Sequence, residues 1–128
     1  MNLLLDTHTF IWWDSEPARL PARVLAMCRN PANRLFLSVA SVWEMQIKLQ
    51  LRKLTLTVSL CSLIEGQQKA NAIELVSITL PHVLERDNLP AHHKDPCDRL
   101  LVAQARVEKA SLVSGDPAFA AYPVQVVW

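Results

Sequence analysis

The chain opens on a short apolar run, Met1-Asn2-Leu3-Leu4-Leu5, that halts at Asp6-Thr7-His8. Such a run predicts a strand buried on both faces, with Asp6 at its carboxyl end. Phe10, Ile11, Trp12 and Trp13 then start a helix, which Asp14-Ser15-Glu16-Pro17 breaks. Pro21 to Arg29 is helical, with Val24, Leu25 and Cys28 on one face, and Asn30-Pro31-Ala32-Asn33 is a turn. Arg34 to Val39 predicts a second strand. A helix follows from about Ser41 to Leu51, with Val42, Met45 and Leu49 on one face and Glu44 on its first turn.

Lys53 to Val58 is extended or irregular. Ser59 to Ala70 carries Leu60, Leu63, Ile64 and Gln67 at helical spacing, and Ile73 to Ile78 predicts a third strand. A short helix opens at Thr79-Leu80-Pro81 and closes before Asn88-Leu89-Pro90. Asp95 is placed to cap the next helix, Pro96 to about Lys109, because proline's missing N–H is not needed at the first helical position. Asp98 falls on its first turn, with Leu101, Val102 and Ala105 at i+3, i+4 and i+7, so this carboxylate borders the buried face. Ser111 to Ser114 predicts a fourth strand ending at Gly115-Asp116-Pro117. Phe119 and Tyr122 sit on a short helix or turn, and Val124 to Trp128 forms a last strand. Strands alternating with helices predict an α/β fold with a parallel central sheet of four to five strands flanked by helices.

At 128 residues the chain suits a single domain spanning 1–128, and 51% hydrophobic against 20% charged residues makes it globular. Two glycines against eight prolines leave no Gly-rich phosphate loop. A net charge of +1 carries no global signature of nucleic-acid binding, so a nucleic-acid partner needs a local patch or a bound cation. Cys28, Cys61 and Cys97 are odd in number and far apart, which points to a reducing compartment and away from a disulfide scaffold. No signal peptide or membrane-length apolar run is visible, so a soluble, cytoplasmic protein without membrane contact is expected.

The acids carry the chemistry. Asp6 and Asp116 follow strands and Glu44 opens the helix after one, and in a parallel sheet all strand carboxyl ends share one edge. Asp98 joins them if the long segment from Ile78 to Asp95 holds its helix start at that edge. Each also has a structural reading: Ser41-Val42-Trp43-Glu44 is a capping-box pattern, and Asp6, Asp95 and Asp116 are good caps. Carboxylates about 4 Å apart repel by roughly 4 kcal/mol at an effective dielectric near 20. Few bases lie next to these acids, so a divalent cation is the expected neutraliser. Oxygen ligands suit Mg²⁺ or Mn²⁺ rather than Zn²⁺.

The runs Leu3-Leu4-Leu5-Asp6-Thr7-His8, Ser38-Val39-Ala40-Ser41-Val42-Trp43-Glu44, His93-Lys94-Asp95-Pro96-Cys97-Asp98-Arg99-Leu100-Leu101-Val102-Ala103-Gln104-Ala105 and Leu112-Val113-Ser114-Gly115-Asp116 resemble the motifs of PIN-domain proteins, above all VapC-type ribonuclease toxins of type II toxin–antitoxin systems. The resemblance covers the whole chain. It implies a parallel sheet wrapped by helices, Mg²⁺- or Mn²⁺-dependent endoribonuclease activity on an RNA such as tRNA or rRNA, a cognate antitoxin whose tail fills the acidic groove, and a homodimer. By position Asp6, Glu44, Asp98 and Asp116 match the family's acidic quartet, with Asp6 and Asp98 the foremost metal ligands. Ser114 is expected to orient Asp6 or a metal-bound water, and Asp95 to cap or support. Cys97 stands where an aromatic residue is common, and Gly115 where the pattern is loose. The implied reaction is in-line attack of a water on phosphorus, giving a 5′-phosphate. Lys94, Arg99 and Arg86, with Lys48 and Arg52, are the candidate phosphate contacts at the rim.

Other readings compete. His92, His93, Asp95 and Cys97 invite a zinc site, but their spacing matches no common zinc pattern. His8 and His82 read as ordinary loop or helix-end residues. Trp12, Trp13, Trp43 and Trp128 could stack on bases, but core or dimer surface is the simpler reading. A PIN-like module that binds RNA or protein without cutting, or a nuclease of RNA processing or DNA repair, would use the same residues.

Overall fold

Leu3, Leu4 and Leu5 form the central strand, and successive side chains of that strand enter opposite core layers. Leu3 and Leu5 pack with Phe10, Trp13, Leu35, Leu37 and Met45, while Leu4 packs with Leu101, Val102, Leu112 and Phe119. A continuous apolar run is thus buried on both faces of a sheet. The molecule is seen in a computed structural model that describes residues 1–90 and 95–128.

The strands are β1 (Asn2–Leu5), β2 (Arg34–Ser38), β3 (Glu74–Val76), β4 (Ser111–Val113) and β5 (Val126–Val127). They pair in the order β3-β2-β1-β4-β5, and every pairing is parallel. Leu5 lies opposite Leu37 on one side and Val113 on the other, so β1, β2 and β4 end level at one edge. Among the described residues six α-helices flank the sheet: α1 (Thr7–Ser15), α2 (Ala22–Arg29), α3 (Val39–Gln50), α4 (Leu60–Asn71), α5 (Leu80–Glu85) and α6 (Pro96–Val107). Among the described residues no helix is long and apolar enough to cross a membrane. All three cysteines are free.

Two helices start earlier than their patterns predict, and both shifts have local causes. α1 begins at Thr7 rather than Phe10 because Asp6 itself is the cap, its Oδ1 accepting from the Thr9 amide at 2.8 Å. α3 begins at Val39 rather than Ser41 because the chain passes straight from β2 into the helix. Ser38 supplies the cap, accepting from the Ala40 amide at 3.0 Å. Glu44 therefore sits on the second turn, and the capping-box reading of Ser41 and Glu44 is replaced. The outer strands β3 and β5 are shorter than the apolar runs that contain them, because only part of each run finds a ladder partner.

Candidate active site

The chain builds β1, β2 and β3 outward in one direction, then returns to lay β4 on the opposite side of β1. At such a reversal the loops leaving the carboxyl ends part and open a crevice. Asp6 follows β1 at that point, and Asp116 follows β4 after Ser114 and Gly115. α3 packs against both α1 and α6, which carries Glu44 and Asp98 to the same place. The result is a cleft of about 380 Å³ lined by Asp6, Thr7, His8, Glu44, Lys48, Asp95, Asp98, Asp116 and Phe119. All four acids singled out in the sequence share it.

Asp6 is only 7% exposed and is gripped from both sides. Its Oδ1 accepts from the Thr9 amide, and its Oδ2 accepts from the Ser114 hydroxyl at 2.5 Å. Ser114 Oγ in turn accepts from the Asp116 amide at 3.0 Å, so one hydroxyl joins the loops after β1 and β4. The Thr9 hydroxyl donates to the Val113 carbonyl at 3.0 Å, a second tie between the same loops. Asp116 Oδ1 caps the following 3₁₀ turn through the Ala118 amide at 2.9 Å, and Asp95 Oδ1 caps α6 through the Cys97 amide at 2.9 Å. Capping and site-building coincide: helix starts fix these carboxylates, and the positive ends of α1 and α6 offset part of their mutual repulsion.

Glu44 is held differently. The Thr7 hydroxyl donates to its Oε2 at 2.7 Å, and Lys48 Nζ lies 3.2 Å from its Oε1. Asp98 occupies the first turn of α6 and is half-buried, above the fully buried Leu101, Val102 and Ala105. The field of these acids is felt at Cys97, whose thiol is pushed up by burial and then by the charges of Asp95, Glu44 and Asp98. Cys97 does not line the cleft, whose acidic donors are hard carboxylate oxygens. That donor set fits Mg²⁺ or Mn²⁺. Among the described residues no three of His, Cys, Asp and Glu stand close enough to hold an ion as they are; Lys48 meets Glu44 instead.

Arg99 turns inward, its Nη2 donating to the carbonyls of Arg86 at 3.2 Å and Leu89 at 3.4 Å. Arg86 is half-buried and is absent from the cleft wall. Lys94, His92 and His93 lie outside the described residues. Thr7 and Thr9 went unremarked in the sequence; their signal was position alone, one and three residues after an acid that ends a strand.

The PIN-domain family model matches residues 3–125. The chain belongs to the PIN-domain family. This PIN domain is 30% identical over 116 residues to ribonuclease VapC22 of Mycobacterium tuberculosis, covering 90% of this chain and 87% of that protein. Among solved structures it is similar to a chain of VapBC2 from Rickettsia felis bound to a DNA fragment of its promoter. The TM-score there is 0.73 and the identity 16%, with 99% of this chain and 98% of the other covered. DNA-bound VapBC from Salmonella typhimurium gives a TM-score of 0.69 at 13% identity, with 99% and 97% covered. At such identities the structural likeness speaks for the fold, which is the five-stranded parallel sheet described above.

Proposed function

We propose that this PIN domain is an endoribonuclease dependent on Mg²⁺ or Mn²⁺, and that it is the toxin of a type II toxin–antitoxin pair. The observation that carries the reading is the sharing of one cleft, at the reversal of the sheet, by Asp6, Glu44, Asp98 and Asp116. The kinship with a protein named ribonuclease VapC22 supports RNA as the substrate. A divalent cation bound there supplies positive charge that polarises a water and neutralises a phosphate.

The chain's own residues do the rest. Asp6 and Asp98 hold the cation, with Asp6 fixed in one rotamer by Thr9 and Ser114. Asp116 and Glu44 complete the acidic wall and orient the attacking water. Lys48 neutralises Glu44 until a cation arrives and is then free to meet a substrate phosphate. Asp95 caps α6 and so sets the height of Asp98. Lys94 remains a proposed cation toward the RNA backbone, whereas Arg99, turned onto the Arg86 and Leu89 carbonyls, and Arg86, away from the cleft wall, give up that role.

A cognate antitoxin and a homodimer are part of the same reading. Val39, Trp43 and Ile47 on α3, continued by its C-cap Leu51, form an exposed apolar stripe, with Trp43 57% and Leu51 59% exposed, and such stripes call for protein partners. The test is cleavage of labelled total RNA or tRNA by the purified chain with Mg²⁺, Mn²⁺ or EDTA, beside Asp6→Asn. The expected result is metal-dependent cutting that EDTA and Asp6→Asn both abolish. Cutting that survives Asp6→Asn, or a chain that binds the metal and cuts no RNA, overturns the reading.

A further inference from the structure

A second and larger cavity, about 660 Å³, adjoins the acidic cleft and shares Asp6, His8 and Asp116 with it. Its remaining wall has another chemistry. His8, Trp12 and Trp128 form a connected aromatic surface, with ring centroids 5.9 Å apart for His8 and Trp12 and 6.1 Å for Trp12 and Trp128. Arg19 lies over Trp12, its guanidinium carbon 4.5 Å from the ring. Trp12 and Trp128 pack on the core at one side and are only half-buried at the other.

The loop carrying Asp116 is shaped around this surface. A Cβ at Gly115 would stand 2.6 Å from the Trp128 ring, so only glycine lets the indole lie against the backbone between Ser114 and Asp116. The Arg23 guanidinium holds Trp128 from the other end, its Nε donating to the Trp128 carbonyl at 2.6 Å.

We propose that this cavity is a nucleobase subsite, which receives a base of the nucleotide next to the scissile phosphate; the inference rests on the nuclease reading above. A single-stranded nucleotide offers what the walls ask for: a flat π-face for the half-buried Trp12 and Trp128, and a phosphate for Arg19, which otherwise pairs with the exposed Glu16 at 3.3 Å. The rings touch one another, so the base lies against them and not between them. The subsite makes the chain a reader of unpaired RNA and disfavours a duplex, whose bases present no free face.

The test compares fluorescein-labelled decaadenylate with an abasic ribose-phosphate decamer for binding to Asp98→Asn, which alters the cleft and not the cavity. Decaadenylate is expected to bind at least about tenfold more tightly. Trp12→Leu should reduce that ratio below about threefold, while Trp12→Phe keeps most of it, a split that lost packing alone would not produce. Gly115→Ala, which displaces Trp128 without entering the core, should also reduce it and carries the test if Trp12→Leu does not fold. Equal binding of the two decamers, or a preference that survives both substitutions, overturns the subsite. A cavity indifferent to bases but shielded by the antitoxin overturns it in favour of a protein contact. If equal binding accompanies metal-dependent RNA cleavage by the unaltered chain, only the subsite falls; if no RNA is bound or cut, the nuclease reading falls with it.

Discussion

The Ser114 hydroxyl donates to Asp6 Oδ2 at 2.5 Å while its oxygen accepts from the Asp116 amide at 3.0 Å, across 108 residues of chain. A side chain that is 1% exposed thus sets the relative positions of two acids that follow neighbouring parallel strands. Ser114→Ala removes a buried hydrogen bond to a charged group and is expected to cost about 1.5–3 kcal/mol, read by denaturant unfolding. Loosening Asp6 should lower metal affinity and RNA cleavage by about tenfold or more. Ser114→Thr keeps the hydroxyl and should retain most of both. Equal loss in the two variants would show that volume, not the hydrogen bond, matters.

Carboxylates gathered in one cleft imply that cation binding stabilises the fold. Mg²⁺ or Mn²⁺ at about a hundred times its dissociation constant should add roughly 2.7 kcal/mol. A thermal-unfolding series across metal concentration reads this directly, and EDTA should reverse it. Asp98→Asn is expected to lose most of the shift, whereas Asp14→Asn, away from the cleft, is expected to keep it. A metal-independent melting temperature in the unaltered chain would refute a cation site at these acids.

The sheet was legible because Leu3-Leu4-Leu5 and Arg34 to Val39 are too short for helices and too apolar for loops, so the positions of Asp6 and Asp116 followed from topology. Asp98 was legible from its spacing to Leu101, Val102 and Ala105. The start of α3 was not, since two serines precede Glu44 and only the direct passage from β2 selects Ser38 over Ser41. The cavity of Trp12 and Trp128 was hidden for a different reason. These residues are 116 positions apart, and hydrophobic composition alone cannot separate a core ring from one that also faces a cleft.

His82 read as an ordinary helix-end residue, yet it is 1% exposed and joins two helices. Its Nδ1 accepts from the Thr79 amide at 3.1 Å, and Nε2 lies 2.7 Å from Glu108 Oε1. This ring fastens α5 to the far end of α6, the helix that carries Asp98. His82→Leu leaves the Thr79 amide without its acceptor, while the 45%-exposed Glu108 returns to water, and should cost about 1–3 kcal/mol by denaturant unfolding. Cleavage per folded molecule should change little. A loss of activity larger than the loss of folded protein would mean that α6 shifts as a whole.

Burial raises the Cys28 thiol from its ordinary value of 9.0 to about 11. Between these values the unfolded chain has released this proton while the folded chain keeps it. The folded state then binds more protons, and stability falls as pH rises. The contribution is complete below pH 9 and lost through pH 11, on the order of 2–3 kcal/mol. Unfolding curves at pH 8, 9, 10 and 11 should show a steeper decline for the unaltered chain than for Cys28→Ala. Parallel declines would mean that other groups carry the alkaline loss.

Lys48 and Glu44 form an i,i+4 pair at 3.2 Å, with side chains 26% and 21% exposed, in a cleft that also holds Asp6, Asp95, Asp98 and Asp116. The pair has two opposed roles. Without a cation it removes one charge from the cluster, so Lys48→Met should destabilise the metal-free chain by about 0.5–1 kcal/mol. With a cation present, Lys48 competes for the same carboxylate, and its removal should tighten metal binding while weakening RNA binding through the lost phosphate contact. Isothermal titration with Mn²⁺, set beside binding of a labelled RNA to the same variant, separates the two effects. Tighter metal with weaker RNA is the expected outcome. Weakening of both would show that Lys48 orders Glu44 for the cation, and the competition would have to be abandoned.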